Sequence, residues 1–164
     1  MRHGVLDTPI GPVTLVVDDD GALTGCYLDA QRHLPASDGF GPRDDTAVAG
    51  AARQLTEYFA GERRTFDLPL ALATGTPFQQ RVWQALGEIP YGETISYGEL
   101  AARIGQPTAS RAVGLANGRN PISIVVPCHR VVGANGTLTG YGGGLTRKQA
   151  LLDLERGHAQ LSLV

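Results

Sequence analysis

The chain has 164 residues, 42% of them hydrophobic and 18% charged, with a formal net charge of −2. That composition supports a buried core in one medium domain or two small ones, and it excludes a membrane-spanning chain, because no apolar run approaches the roughly 20 residues a span needs. The two cysteines, Cys26 and Cys128, exclude a disulfide framework, so a soluble cytoplasmic protein with a free thiol at Cys128 is expected. Charge is uneven along the chain: residues 1–74 hold 6 basic and 11 acidic side chains, residues 75–164 hold 8 and 5. The second half is therefore the expected partner for an anion, unless the asymmetry is scatter.

In chain order, Val13–Val17 and Ala22–Leu28 flank the turn Asp18–Gly21 and predict two strands, with Cys26 a small buried hydrophobe in the second. Residues 30–45, with Pro35, Gly39, Gly41 and Pro42, predict a loop without chemistry. From Thr46 to Ala60 the apolar residues Val48, Ala51, Ala52, Leu55, Tyr58 and Phe59 recur at helical spacing, and Gly61 closes the helix. Phe66–Leu70 is a candidate edge strand. The stretch 71–75 links onward, and a domain boundary is expected there, giving domains 1–74 and 75–164.

Helix starts dominate the second half. Thr76-Pro77-Phe78-Gln79 is a capping box with proline at the first helical position, opening a helix through Val82, Trp83 and Leu86 to Gly87. Ser96-Tyr97-Gly98-Glu99 is a second box, for a short helix ending at Gly105. Gln106-Pro107 turns the chain, and Thr108 is expected to cap a helix from Ala109 to Asn117, stopped by Gly118. Two short helices across a tight turn are a helix-turn-helix candidate, although such pairs also serve plain packing. The second helix is built of small residues, Ala109, Ser110, Ala112, Gly114 and Ala116, with Arg111 the one long side chain near its start. Small residues allow close approach to a groove, and an arginine there can reach phosphate or fill space inside a duplex. A last helix is expected from about Thr146 to Arg156, closed by Gly157.

Between these helices lies Ile122-Ser-Ile-Val-Val-Pro-Cys-His-Arg-Val-Val132. Its β-branched runs predict a buried strand-like segment, which Pro127 ends by fixing φ and removing a donor, so that Cys128 falls on a rigid turn. Asn120, before Pro121, is biased to extended backbone and can tie two segments together. The glycines that follow Val132, with Tyr141 among them, lack a phosphate-loop pattern. They predict either a flexible loop or one that presents backbone donors to a flat ligand.

A free cysteine is mostly thiol at neutral pH, so an attacking sulfur needs a base or a positive field. His129 can take the proton, and because neighbouring side chains diverge it is expected to do so through one water. A carboxylate on the far ring nitrogen would fix the tautomer and stabilise the imidazolium. Glu155, at the edge of the last helix's apolar stripe, is the candidate if it is buried; most glutamates so placed are solvated.

These residues resemble a known family. Asn120-Pro121, the Ile/Val run, Pro127-Cys-His-Arg130 and Tyr141-Gly-Gly-Gly144 are similar to the signature of O6-alkylguanine-DNA alkyltransferases, and Ile89–Tyr97 and Ser110–Gly114 extend the match over most of residues 76–157. Thr8–Pro12 and the first strands resemble the family's smaller domain more loosely. The resemblance implies an α/β, ribonuclease H-like N-terminal domain and a mainly helical C-terminal domain with a winged-helix-like helix-turn-helix. It implies stoichiometric, irreversible transfer of an alkyl group from O6-alkylguanine to Cys128, with O4-alkylthymine a further candidate substrate. His129 would be the water-linked base, Glu155 its orienter, Asn120 a brace, and Tyr97 a donor to the flipped base. Tyr97, Gln106, Ala109, Ser110, Arg111, Ala112 and Gly114 would contact the minor groove of alkylated double-stranded DNA, with Arg111 filling the vacancy in the duplex. Val131, Tyr141, Gly142 and Gly143 would wall the pocket; some relatives carry serine where this chain has Gly142. No cofactor, metal or membrane is implied, since Cys26, His3 and His33 make no zinc set, and the expected state is a monomer that binds DNA alone or cooperatively.

Three other readings remain: a non-catalytic lesion binder, against which Cys128 itself argues; a cysteine hydrolase, which would turn over; and a transcription factor, which would prefer a sequence in undamaged DNA. The alkyl-transfer reading requires the sulfur to lie beside a cavity and near the helix pair.

Overall fold

The computed structural model describes residues 1–157 apart from Ala73; the part of the 71–75 link at Ala73 and the extension of the second domain to Val164 lie outside the described residues. The N-terminal part is a three-stranded antiparallel sheet, β1 (Arg2–Thr8), β2 (Gly11–Val17) and β3 (Leu23–Leu28), in that spatial order. Sequence reading finds β2 and β3 but not β1, an edge strand whose Arg-His-Gly-Val-Leu-Asp-Thr has only Gly4 and Thr8 buried and so lacks an apolar alternation. The central β2 carries buried Val13, Leu15, Val16 and Val17. Helix α1 (Ala49–Phe59) covers the sheet after a 3-10 turn, Asp45–Val48, that splits the expected Thr46–Ala60 helix where the Asp44 side chain accepts from Thr46 N–H.

The expected strand at 66–70 is reduced to a single bridge, Leu70 to Leu23. Gln54 of α1 exchanges two hydrogen bonds of 2.9 Å with the Asp67 backbone and holds that segment instead.

The C-terminal part is helical: α2 (Pro77–Leu86), α3 (Tyr97–Arg103), α4 (Ser110–Gly118) and α5 (Leu145–Glu155). Thr76 and Gln79 form the full reciprocal capping box. At α3, Ser96 caps Glu99 N–H, while the Glu99 carboxylate pairs with Arg103 rather than closing the box. Helix α4 starts at Ser110 with Ala109 at its N-cap and no side-chain cap, so Thr108 does not serve as expected. A two-residue parallel ladder joins β4 (Ile95–Ser96) to β5 (Val131–Val132), fixing the start of α3 beside the end of the Cys128 segment. Trp83 Nε1 donates to Ala116 O at 2.9 Å and locks α2 onto α4.

Candidate active site and nucleic-acid interface

Residues 122–126 form a tight turn, not the expected strand. Val126 N–H bonds Ile122 O at 3.0 Å and Val125 N–H bonds Ser123 O at 2.8 Å, and Ile124 is held at φ 73°. A β-branched residue in the left-handed region is strained and persists only where its surroundings enforce it. Asn120 supplies part of that enforcement: its Oδ1 accepts from Ile122 N–H at 3.0 Å and its Nδ2 donates to Val126 O at 2.7 Å. Strand β3 supplies more, since Cys26 N–H donates to Pro121 O and Cys26 O accepts from Ser123 N–H, at 2.8 and 3.1 Å. Cys128 N–H then bonds Val126 O across Pro127, whose φ and ψ of −82° and 65° make an inverse γ-turn. The sulfur thus stands on the first residue of a short 3-10 helix, Cys128–Arg130.

His129 is fully buried, and its Nε2 lies 2.7 Å from Glu155 Oε2. The same oxygen accepts from Tyr58 Oη at 2.6 Å and Arg130 Nη2 at 3.0 Å; Oε1 accepts from Arg130 Nε at 2.8 Å and Gly92 N–H at 3.3 Å. Burial pushes the Glu155 carboxyl up, but the hydrogen bonds and charges of His129 and Arg130 outweigh it and hold the group well below the usual carboxylate range. An ionised carboxylate only accepts, so Nε2 carries the proton. Burial holds the His129 pKa down, with the Glu155 bond opposing, so the ring is neutral and its buried Nδ1, which has no protein partner among the described residues, keeps a free lone pair. Burial likewise raises the Cys128 thiol, with Asn120 and the Lys148 charge opposing. The resting pair is a thiol and a neutral imidazole.

Lys148 is also fully buried, yet among the described residues it meets no carboxylate; its Nζ donates to Val131 O at 2.5 Å and Thr139 O at 2.7 Å. Burial lowers its pKa to about 8, and Cys128 pulls it back up. Thr139 O also accepts from Tyr97 Oη at 2.9 Å.

Above this layer opens a cavity of about 440 Å3, lined by Arg32, His33, Tyr97, Ser110, Arg111, Gly114, Leu115, Gly118, Thr139, Gly140 and Gly142. Cys128, only 4% exposed, does not line it. The Cys128 side chain nevertheless neighbours Tyr97, which does line the cavity: burial raises the Tyr97 phenol, the Thr139 hydrogen bond opposes, and Cys128 adds to the rise. Of the expected pocket residues, Gly142 lines the cavity, Val131 and Tyr141 are buried behind it, and Gly143 lines a separate cavity with Pro9 and Arg147. Of the expected interface residues, Arg111 and Ala112 are exposed on α4, Ala109, Ser110 and Gly114 are half-buried, and Gln106 sits in the α3–α4 turn, its carbonyl accepting from Ala109 N–H.

Sequence reading missed four residues here. Tyr58 reads as an ordinary core position of α1. Arg130 reads only as part of a motif, and nothing in the sequence marks Lys148. Leu115, 71% exposed on α4, had a legible signal, since it follows Arg111 by one helical turn and shares its face.

A thiol, an imidazole and a caged carboxylate set under a cavity that a helix-turn-helix borders define a thiol-dependent group-transfer protein. Residues 77–157 match the DNA binding domain of 6-O-methylguanine DNA methyltransferase, and residues 1–72 match the ribonuclease-like domain of the same protein. The methylated-DNA–protein-cysteine methyltransferases of Mycobacterium tuberculosis and Methanosarcina acetivorans are 55% and 51% identical; the alignments cover 99% and 94% of this chain and 97% and 98% of those. The crystal structure of Mycobacterium tuberculosis OGT in complex with DNA superposes with a TM-score of 0.88 at 54% identity, covering 97% of this chain and 95% of that one. The chain belongs to the 6-O-methylguanine DNA methyltransferase family. Its function is DNA repair by direct transfer of an alkyl group to a cysteine of the protein.

Proposed function

We propose that Cys128 is the alkyl acceptor, that His129 deprotonates it through a bridging water, and that Glu155 fixes the histidine for that task. The observation that carries this reading is the Glu155 carboxylate, 2.7 Å from His129 Nε2 and held ionised, which leaves Nδ1 as the ring's acceptor. As the S–C bond forms and the C–O6 bond breaks, the thiol proton passes to Nδ1 and the Glu155 charge stabilises the imidazolium. The guanine leaves with the electron pair of the broken bond and takes up a proton. The thiol and the imidazole start neutral, so charge develops only as the reaction proceeds, with Lys148 and Asn120 favouring it at the sulfur and Glu155 favouring it at the ring.

The substrate is double-stranded DNA carrying an alkylated base, bound through its minor groove by α3 and α4 and with the damaged nucleotide turned out of the stack. Arg111 occupies the space the base leaves; Leu115, Ser110 and Gly114 face the groove beside it. For the base to reach Sγ, Tyr97 Oη must leave Thr139 O, and the freed phenol then donates to the base as negative charge develops on it. Asn120 keeps the strained turn closed, and Gly140 and Gly142 of the glycine loop wall the pocket. The protein acts in the cytoplasm as a monomer, needs no cofactor, and is consumed by one lesion, because the thioether does not revert. The boundary between its domains falls at residues 74 and 75.

The test is intact-protein mass after mixing with duplex DNA containing O6-methylguanine. We expect one methyl group, located on Cys128, and none in Cys128→Ser; methylation elsewhere, or continuing turnover, would overturn the assignment.

A further inference from the structure

We propose that Tyr58, contributed by the N-terminal domain, is a positioning residue of the repair reaction: its hydroxyl shares Glu155 Oε2 with His129 and so sets how strongly that carboxylate stabilises the imidazolium. The inference rests on the relay described above and adds to it a group 97 residues distant in sequence.

Packing alone does not account for this tyrosine. Its ring sits among Phe59, Phe66 and Tyr91, with centroids 5.3, 5.5 and 6.2 Å away, and a phenylalanine would serve those contacts as well. The hydroxyl is the part they leave unexplained. Burial first, and then the Glu155 charge, raise its pKa well above the phenol range, so the group stays protonated and donates. Three donors converge on Oε2: Tyr58 at 2.6 Å, His129 at 2.7 Å and Arg130 at 3.0 Å. A donor held on one carboxylate oxygen reduces the charge that oxygen offers its other partners. Removing Tyr58 Oη therefore concentrates charge toward His129 and raises the pKa of the ring.

The other groups facing the pair are fixed. Glu155 also meets Arg130, the Gly92 N–H and the field of Tyr91; His129 meets Arg130 and Lys148 besides Glu155. None of them is altered when one oxygen is removed from Tyr58.

The test is the pH dependence of the single-turnover alkylation rate constant on duplex DNA containing O6-methylguanine. It compares the unaltered protein, Tyr58→Phe, Glu155→Gln, and protein with 3-fluorotyrosine placed at position 58, a stronger donor of nearly the same shape. We expect the acid limb to move up by about 0.5–1 pH unit in Tyr58→Phe, about a three- to tenfold change in rate at fixed pH on that limb. In the fluorinated protein it moves down. The ring nitrogens of His129, followed by 15N chemical shift, titrate in the same two directions. A purely structural tyrosine would lower the melting temperature and leave both titrations in place, and superimposable profiles overturn the proposal. Should Tyr58→Phe fail to fold, the fluorinated protein decides alone: a downward shift supports the role and no shift overturns it. If Glu155→Gln leaves the rate unchanged, the relay itself falls and Tyr58 with it; if Glu155→Gln slows the reaction while the Tyr58 profiles coincide, only the role of Tyr58 falls.

Discussion

At Glu155 five hydrogen bonds meet on one buried carboxylate, donated by Tyr58, Gly92, His129 and, twice, Arg130. A charge so deeply placed is tolerated only because every lone-pair direction is used, and breaking such a cluster leaves Arg130 buried without its counter-ion. We expect Glu155→Gln to slow alkylation about tenfold without abolishing it and to lose about 3 kcal/mol of stability at neutral pH, measured by urea unfolding. The sign with pH follows from the depressed carboxyl. Its stabilisation is complete above the ordinary value of 4.5 and is lost as pH falls below it, because the unfolded chain takes up the proton first. The gap between the unaltered protein and Glu155→Gln is therefore constant from pH 7 down to about 5 and narrows below 4.5, toward the depressed folded value; a gap that stays constant below 4.5 would show that Glu155 is not held ionised. Sequence spacing makes Glu155 a candidate for His129, but the other donors come from α1, the segment after α2 and the turn at Arg130, which no local pattern connects.

The functional elements are α4 and the glycine loop. Helix α4 carries Arg111 and Leu115 one turn apart on its exposed face, and an exposed apolar side chain beside an arginine suits a groove better than water. Arg111→Ala should weaken repair of duplex DNA about tenfold and affect reaction with the free base less; equal losses would remove its role in the duplex. Leu115→Glu, which sets a negative charge against phosphate, should weaken binding to duplex DNA at least as much, with the loss growing as salt is lowered. In the loop, a Cβ at Gly143 would stand 2.4 Å from Leu28 Cδ1 and 2.7 Å from Tyr141 Cε2, whereas one at Gly142 would stand 3.6 Å from Gly118 O. Gly143→Ala should therefore cost about 1–3 kcal/mol in a thermal melt, while Gly142→Ser should leave the melting temperature unchanged. The helices were legible in the sequence because caps and apolar spacing are local. Strand β1 and the β4–β5 ladder were not, because an edge strand of polar residues and a two-residue ladder exist only through the partner they pair with.

Across the whole molecule, the contacts between the N-terminal domain and the site region include β3 pairing with the turn through Cys26, Tyr58 holding Glu155, and Arg32 N–H donating to Gly142 O at 2.8 Å. The loop at 30–45, which reads as featureless in sequence, thus borders the cavity through Arg32 and His33. With so much of the strained turn enforced from outside its own domain, the two domains should unfold as one unit. Trp83, the single tryptophan, reports on the C-terminal domain alone, while far-ultraviolet circular dichroism reports on both. Coincident melting curves are expected from the two signals, and a separate lower transition by dichroism would show that the sheet domain is not coupled to the site.

The sequence by itself determined the main helices, two of the three sheet strands and the family, because caps, periodicity and a dense motif lie in contiguous residues. It also made a histidine and a glutamate available. Only the tertiary structure decided that Ile122–Val126 is a turn, that Glu155 is buried and ionised, and that the thiol is buried off the cavity lining. Each of those depends on hydrogen bonds and excluded water supplied by segments far away in the chain, and burial and charge are properties of the surroundings that the order of residues does not display.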